Sequence, residues 1–197
     1  RYETPWLNEL ILANLLAPVG AGALSQTISQ QEYSRLFERD RFGASSGTEY
    51  ASNGDWRQYA SQYGTFGKTS YSLDTVYLSQ NGWRPNEDIS QLTVYAKIKQ
   101  QLTPQDSVFL QSIHYDNESG DVRQYYDPAF ASRTLRFEEK QEPTLLAGYH
   151  REWSPGSHTL VLAGRLDDQV QMTEPSGRIL TFARNADGSI RRGLDLG

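Results

Sequence analysis

The sequence predicts an all-β chain, an antiparallel up-and-down meander forming part of a transmembrane β-barrel, with a short helix at its N-terminal end. Three observations predict it. Apolar and polar side chains alternate with period two, connections alternate between short and long, and the strands run to about 9 to 14 residues, near what a tilted membrane strand needs.

Composition narrows the field. No run approaches the roughly 20 apolar residues of a spanning helix. The longest apolar cluster, Leu10–Leu16, is too short and holds Asn14. A barrel escapes that test, because only alternate residues of its strands need face lipid. Twelve tyrosines and four tryptophans suit a membrane–water interface, and they suit a sugar-binding surface equally. With no cysteine there is neither disulfide nor thiolate metal site, and a net charge of -5 argues against nucleic acid as a partner. Neither Arg1–Pro5 nor Arg191–Gly197 reads as a natural terminus, so the chain is expected to be a fragment of a longer protein.

Residues 1–28 read as a connector and residues 29–197 as a segment of a larger barrel. In the connector Thr4 can cap a helix with Pro5 at its first position, and Trp6, Leu7, Leu10, Ile11 and Leu15 fall at helical spacing before Pro18, Gly20 and Gly22 end it. That helix suits either the end of a plug-like region or a connector packed on the rim of the sheet. From about Ser29 the period becomes two. Strands are expected over Trp56–Thr65 and Thr69–Gln80, joined across Phe66-Gly67-Lys68. The clearest strand is Ile89–Leu102, where Leu92, Val94, Ala96, Ile98 and Leu102 share one face while Gln91, Thr93, Lys97 and Lys99 share the other. Thr103-Pro104-Gln105-Asp106 is a tight turn, and Ser107–Tyr115 returns. Pro143–Trp153 puts Leu145, Ala147, Tyr149 and Trp153 on one face, turns at Ser154–Ser157, and runs back over His158–Asp167. The long connections are Asn81–Asp88 and Asp116–Glu142. Short turns alternating with long loops are the habit of outer-membrane barrels, with short periplasmic turns and longer extracellular loops.

The stretch Gly64-Thr65-Phe66-Gly67, then Ser70-Tyr71-Ser72-Leu73, then Asn81-Gly82-Trp83-Arg84-Pro85-Asn86-Glu87-Asp88, then Gln101-Leu102-Thr103-Pro104-Gln105-Asp106-Ser107 resembles the barrel of TonB-dependent receptors. The similarity covers roughly residues 55 to 118, and more loosely the hairpins to Asp168; barrels carried behind tetratricopeptide-repeat regions look similar too. The resemblance implies a partial barrel wall in a Gram-negative outer membrane, taking part in ligand uptake. The family's plug domain and TonB box are not in the chain, so any TonB partner would act through parts outside it. The alternative is a soluble all-β module that binds carbohydrate or a protein.

No catalytic constellation emerges. Gly43-Ala44-Ser45-Ser46-Gly47 matches a nucleophile-elbow pattern, but no helix follows, and it reads as the small-residue start of a strand. His114, His150 and His158 read as isolated strand histidines. Asp116-Asn117-Glu118-Ser119-Gly120-Asp121 clusters oxygens but lacks a complete calcium loop, so no metal and no cofactor is expected. On the barrel reading Trp83, Arg84, Arg123, Tyr125, Tyr126 and Arg133 are the candidate ligand contacts in extracellular loops, with Phe130, Arg136 and Phe137 in the same loop. The candidate membrane-facing residues are Leu92, Val94, Ala96, Ile98, Leu145, Ala147, Tyr149 and Trp153, with Tyr71 and Tyr77 in interfacial girdles. Val94→Lys is expected to impair assembly as a midplane lysine, and Thr93→Lys to be tolerated.

Overall fold

The computed structural model describes residues 9–19, 41–122, 132–175, 178–185 and 187–196. Seven strands form one antiparallel sheet in which each pairs only with its neighbours in sequence. They are β1 (Arg41–Tyr50), β2 (Trp56–Phe66), β3 (Thr69–Gln80), β4 (Ile89–Gln101), β5 (Asp106–Ser119), β6 (Arg136–Ser154) and β7 (Ser157–Thr173). A hairpin of β8 (Arg178–Arg184) and β9 (Ile190–Leu196) forms a separate two-stranded sheet, and α1 (Glu9–Leu16) is the one helix among the described residues. The chain is therefore all-β and up-and-down, as the period-two alternation predicts. Thr4, Pro5 and the start of the alternation near Ser29 lie outside the described residues.

The short turns follow their local chemistry. Gly67 (φ 54°) and Gly156 (φ 80°) supply left-handed backbone for two of them. In the third, the Thr103 hydroxyl accepts the N–H groups of Gln105 (3.2 Å) and Asp106 (3.0 Å) and donates to the Asp106 carboxylate. Neighbouring turns are laced together: Gln101 N–H donates to Lys68 C=O at 2.8 Å, and Glu152 N–H to Gln105 C=O at 2.9 Å.

Three strands clearly outrun the sequence-based expectation, β7 by running on to Thr173 rather than Asp167. β6 begins at Arg136 rather than Pro143, so Arg136 and Phe137 are strand residues, and β5 extends through Ser119. Proline cannot donate to a ladder and normally ends a central strand. Here the register slips between Glu142 and Leu145, opposite the Ile113/Tyr115 irregularity, and that bulge lets Pro143 pass through a paired strand. Asp116 to Ser119 thus lie in β5, with Asp116 and Glu118 on one face and Asn117 and Ser119 on the other. They cannot converge on one cation, and no group of three potential ligands occurs among the described residues.

Gly43-Ala44-Ser45-Ser46-Gly47 lies within β1, and its spacing has a packing cause. Gly43 pairs with Tyr63 and Gly47 with Tyr59. A Cβ on Gly43 would stand 2.5 Å from the Tyr63 ring, and one on Gly47 2.1 Å from the Tyr59 ring. Each glycine leaves the space its cross-strand tyrosine occupies. Gly47→Val should destabilise the fold by about 1–3 kcal/mol through overpacking. Adding Tyr59→Ser should recover much of that loss in a denaturant titration, whereas strictly additive effects would count against the pairing.

The helix docks on the face of the sheet that carries the lysines, over β5 and β6. Ile11 and Leu15 pack on Phe109 and Leu146, flanked by Leu160 and Leu162. Gly148 opens the space for Leu15, whose Cδ2 would lie 2.2 Å from a Cβ there. Lys99, 1% exposed, donates its ammonium hydrogens to the carbonyls of Asn14, Leu15 (3.0 Å) and Ala17. These are last-turn acceptors that the helix cannot satisfy itself, at the end where the backbone dipoles favour a cation. The expectation of a simple wet wall is corrected: Thr93, at 4% exposure, is buried, as are Lys97 and Lys99. Thr93→Lys therefore loses its standing as a harmless change.

Candidate functional site: an apolar band and a loop platform

Among the described residues, nothing covers the face opposite α1. One lateral row crosses all seven strands through Phe42, Gly64, Tyr71, Ile98, Leu110, Ala147 and Ala163. Leu92, Val94, Ala96, Ile98, Leu145, Ala147 and Tyr149 all fall on this face, and Ile98 is 42% exposed. Trp153, 63% exposed, joins them by donating its indole N–H to Thr159 at 2.9 Å, with the Arg151 guanidinium 4.1 Å over its ring.

Distance from that row, counted towards the long connections, shows where the oily surface stops. On β1 and β2 it reaches Tyr50 and Trp56, each eight residues above the row. On β3 and β4 it reaches Tyr77 and Leu92, six above. On β5 it ends in the row, at Leu110, before Ser112 and His114, and on β6 at Leu145, two above, before Glu142. On β7 it ends in the row itself, at Ala163, before Arg165. A descent of eight residues across six strand intervals is about 26 Å in about 29 Å, a slope of roughly 40°. The short turns descend alongside. Their midpoints fall from between Gly67 and Lys68, through Pro104, to between Pro155 and Gly156, again at a slope of roughly 40°.

Two parallel boundaries thus enclose a band. Trp56 and Phe66 stand ten residues apart on β2, about 33 Å along the strand and about 25 Å measured across the band. Aromatic rings line both margins. Phe66 stacks on Tyr71 (6.2 Å between centroids) with Tyr149 and Trp153 further along the lower margin, and Trp56 meets Tyr77 edge-on (5.8 Å) at the upper one. Polar groups inside the band hydrogen-bond sideways: the Thr48 hydroxyl donates to Gln58 (2.5 Å), and the Gln62 amide donates to the Tyr71 hydroxyl (3.2 Å). Just below the band, in the turn, Asp106 accepts from Thr103, from the Tyr149 hydroxyl (2.5 Å) and from Arg151 (3.2 Å). The Thr103 hydrogen bond, followed by those of Tyr149 and Arg151, holds the Asp106 carboxyl below the usual carboxylate range. On β4 the band is centred between Ile98 and Ala96, so Val94 sits above the centre rather than at it.

At the opposite end the long connections form one platform. Glu87 accepts the N–H groups of Trp83 (2.9 Å) and Arg84 (3.1 Å) and pairs with the Arg84 guanidinium. Asn86, at φ 60°, donates through its amide to the carbonyls of Ser132 (3.0 Å) and Leu135 (2.9 Å), and its own carbonyl accepts from Asp121 N–H. Asp121 accepts from Ser132 N–H (2.9 Å), Glu174 accepts from the Ser132 and Thr134 hydroxyls, and Arg136 pairs with Asp88 at 2.6 Å. Asn86→Ala should remove both clamping bonds, worth about 1–3 kcal/mol. The expected sign is faster amide exchange at residues 120–122 and 132–135, with the strands unaffected.

Of the candidate ligand contacts, the structure places Trp83 on this platform with 79% of its surface free, and Arg133 exposed on the connection that Asn86 clamps. Arg84 is committed to Glu87 and shapes the loop. Arg123, Tyr125, Tyr126 and Phe130 lie outside the described residues. Sequence reasoning missed Asn86, Glu87 and Glu174; the three-residue spacing of Arg84 and Glu87 was the one signal for them. It also missed that two histidines are not isolated. His150 Nε2 and His158 Nδ1 stand 3.0 Å apart on the helix-bearing face, diagonal partners across the β6–β7 hairpin.

No family model, curated protein or solved structure matches the chain. The slanted band and the loop platform are therefore the grounds for assigning it a function.

Proposed function

We propose that the seven-stranded sheet is part of the wall of an outer-membrane β-barrel, and that it takes part in ligand uptake in the manner of the TonB-dependent receptors its motifs resemble. The observation that carries this is the slanted band. Strands of such barrels tilt by about 35–45°, and their apolar belt is about 25 Å tall between aromatic girdles. A sheet designed to be covered by a second sheet has no reason to cut its oily surface obliquely across its strands. The oblique cut is what a flat membrane demands of tilted strands.

On this reading the platform with Trp83 and Arg133 faces outward and makes first contact with a small-molecule ligand. The short turns face the periplasm, and the polar face with α1 looks into the lumen. Coupling to TonB would run through parts of the protein outside this chain. The test is to express the protein in a Gram-negative host and fractionate it. Recovery with outer membranes and heat-modifiable migration in detergent are expected. Recovery in the soluble fraction with no detergent requirement would instead favour a soluble binding module.

A further inference from the structure

The open face is not uniformly ridged. Small side chains at Ala96, Ser112, Ala147 and Ala163 leave a trough of about 670 Å³ between the ridges of Ile98, Leu110 and Leu145, and its walls are almost wholly apolar. Of the two cations in its lining, Lys97 belongs by register to the helix-bearing face, and Arg165 alone to the open one. Arg165 is the first residue of β7 above the oily boundary, and it closes the trough's upper end. Because rows and band are skewed, the trough descends as it crosses the sheet. It starts at the boundary on β7, and at Ala96 on β4 it lies four residues below Leu92, about 10 Å deep. An apolar channel that begins beside a guanidinium and sinks into the hydrocarbon has the layout of a lipid, charged end up.

We propose that this trough holds one acyl chain of a phosphate-bearing anionic lipid of the outward leaflet, whose phosphate pairs with Arg165. The inference rests on the membrane reading of the band and names the lipid that one part of it selects. Arg165 now pairs with Asp167 at 3.1 Å, an exposed contact. Exposed ion pairs of that kind contribute little, whereas a guanidinium grips phosphate through two parallel hydrogen bonds. The phosphate would therefore displace Asp167 readily. A bare trough would leave its walls short of van der Waals contacts, and one flexible chain fills it without strain.

The experiment uses the full protein in nanodiscs of phosphatidylcholine containing one-tenth phosphatidylglycerol as the phosphate-bearing probe lipid, released intact into a mass spectrometer. One phosphatidylglycerol should stay bound per chain, in excess over its share of the bilayer. Arg165→Gln should lower that retention about tenfold. Ala147→Leu, which fills the trough and keeps the charge, should abolish it. Retention of the two lipids in bulk proportion, or retention unchanged in both variants, would overturn the site while leaving the membrane reading intact. A protein that does not enter the nanodisc at all would overturn both.

Discussion

A lysine replacing Ile98 is expected to cost about 2–4 kcal/mol in assembly, the largest single-residue effect on the open face. Ile98 stands at the centre of the band on β4, uncovered, with Leu110 beside it across the ladder. On the proposed membrane reading a cation there has neither water nor a partner, and it must drag solvent into hydrocarbon or leave the strand. Val94→Lys, four residues nearer the boundary, should cost less. Ser90→Lys should cost almost nothing, because Ser90 shares the strand and the face but lies above Leu92, the last apolar residue. Urea titration of folding into vesicles reads all three. Depth is the only variable that orders them. A soluble sheet would rank them by local packing instead, and equal losses at Ile98 and Ser90 would show that depth has no influence.

The second large effect lies on the other face. Lys99→Met removes the donor shared by the carbonyls of Asn14, Leu15 and Ala17 and leaves these acceptors buried. Methionine fills most of the lysine's volume, so the change removes mainly hydrogen bonds and charge. Docking of α1 should weaken by about 2–3 kcal/mol, and amide exchange at residues 11–17 should quicken by about 30- to 150-fold. The sheet should persist, since its ladders do not involve Lys99's side chain. Unchanged exchange would mean that Leu15 and its space over Gly148 hold the helix unaided.

The two faces differ in how far they were legible in the sequence. The alternation of Leu92, Val94, Ala96 and Ile98 with lysines and glutamines is a local pattern, and it placed β3 and β4 nearly to the residue. Pro143 misled because it signals a strand end to anyone reading one strand at a time; the bulge that absorbs it is a property of three strands together. The docking of α1 on Lys99 joins residues more than eighty apart, and a lysine in an alternating strand reads as solvated. The Asn86 clamp likewise joins residues 46 and 49 apart, Ser132 and Leu135. The slanted boundary is the subtlest case. Each strand's last apolar residue is visible in the sequence, but the slope appears only once the register aligns them.

The absence of cysteine makes one measurement clean. Single cysteines placed in turn along the open face of β3, β4 and β7, each carrying a nitroxide, report depth through the ratio of oxygen to nickel-chelate accessibility in a bilayer. A membrane wall requires the deepest site to shift from the Ala96–Ile98 level on β4 towards Val161 on β7, keeping a constant distance from a boundary inclined by roughly 40° to the rows. If every open-face site is as accessible to the nickel chelate as Ser90, or if depth follows the lateral rows without any slant, the band is not a membrane belt.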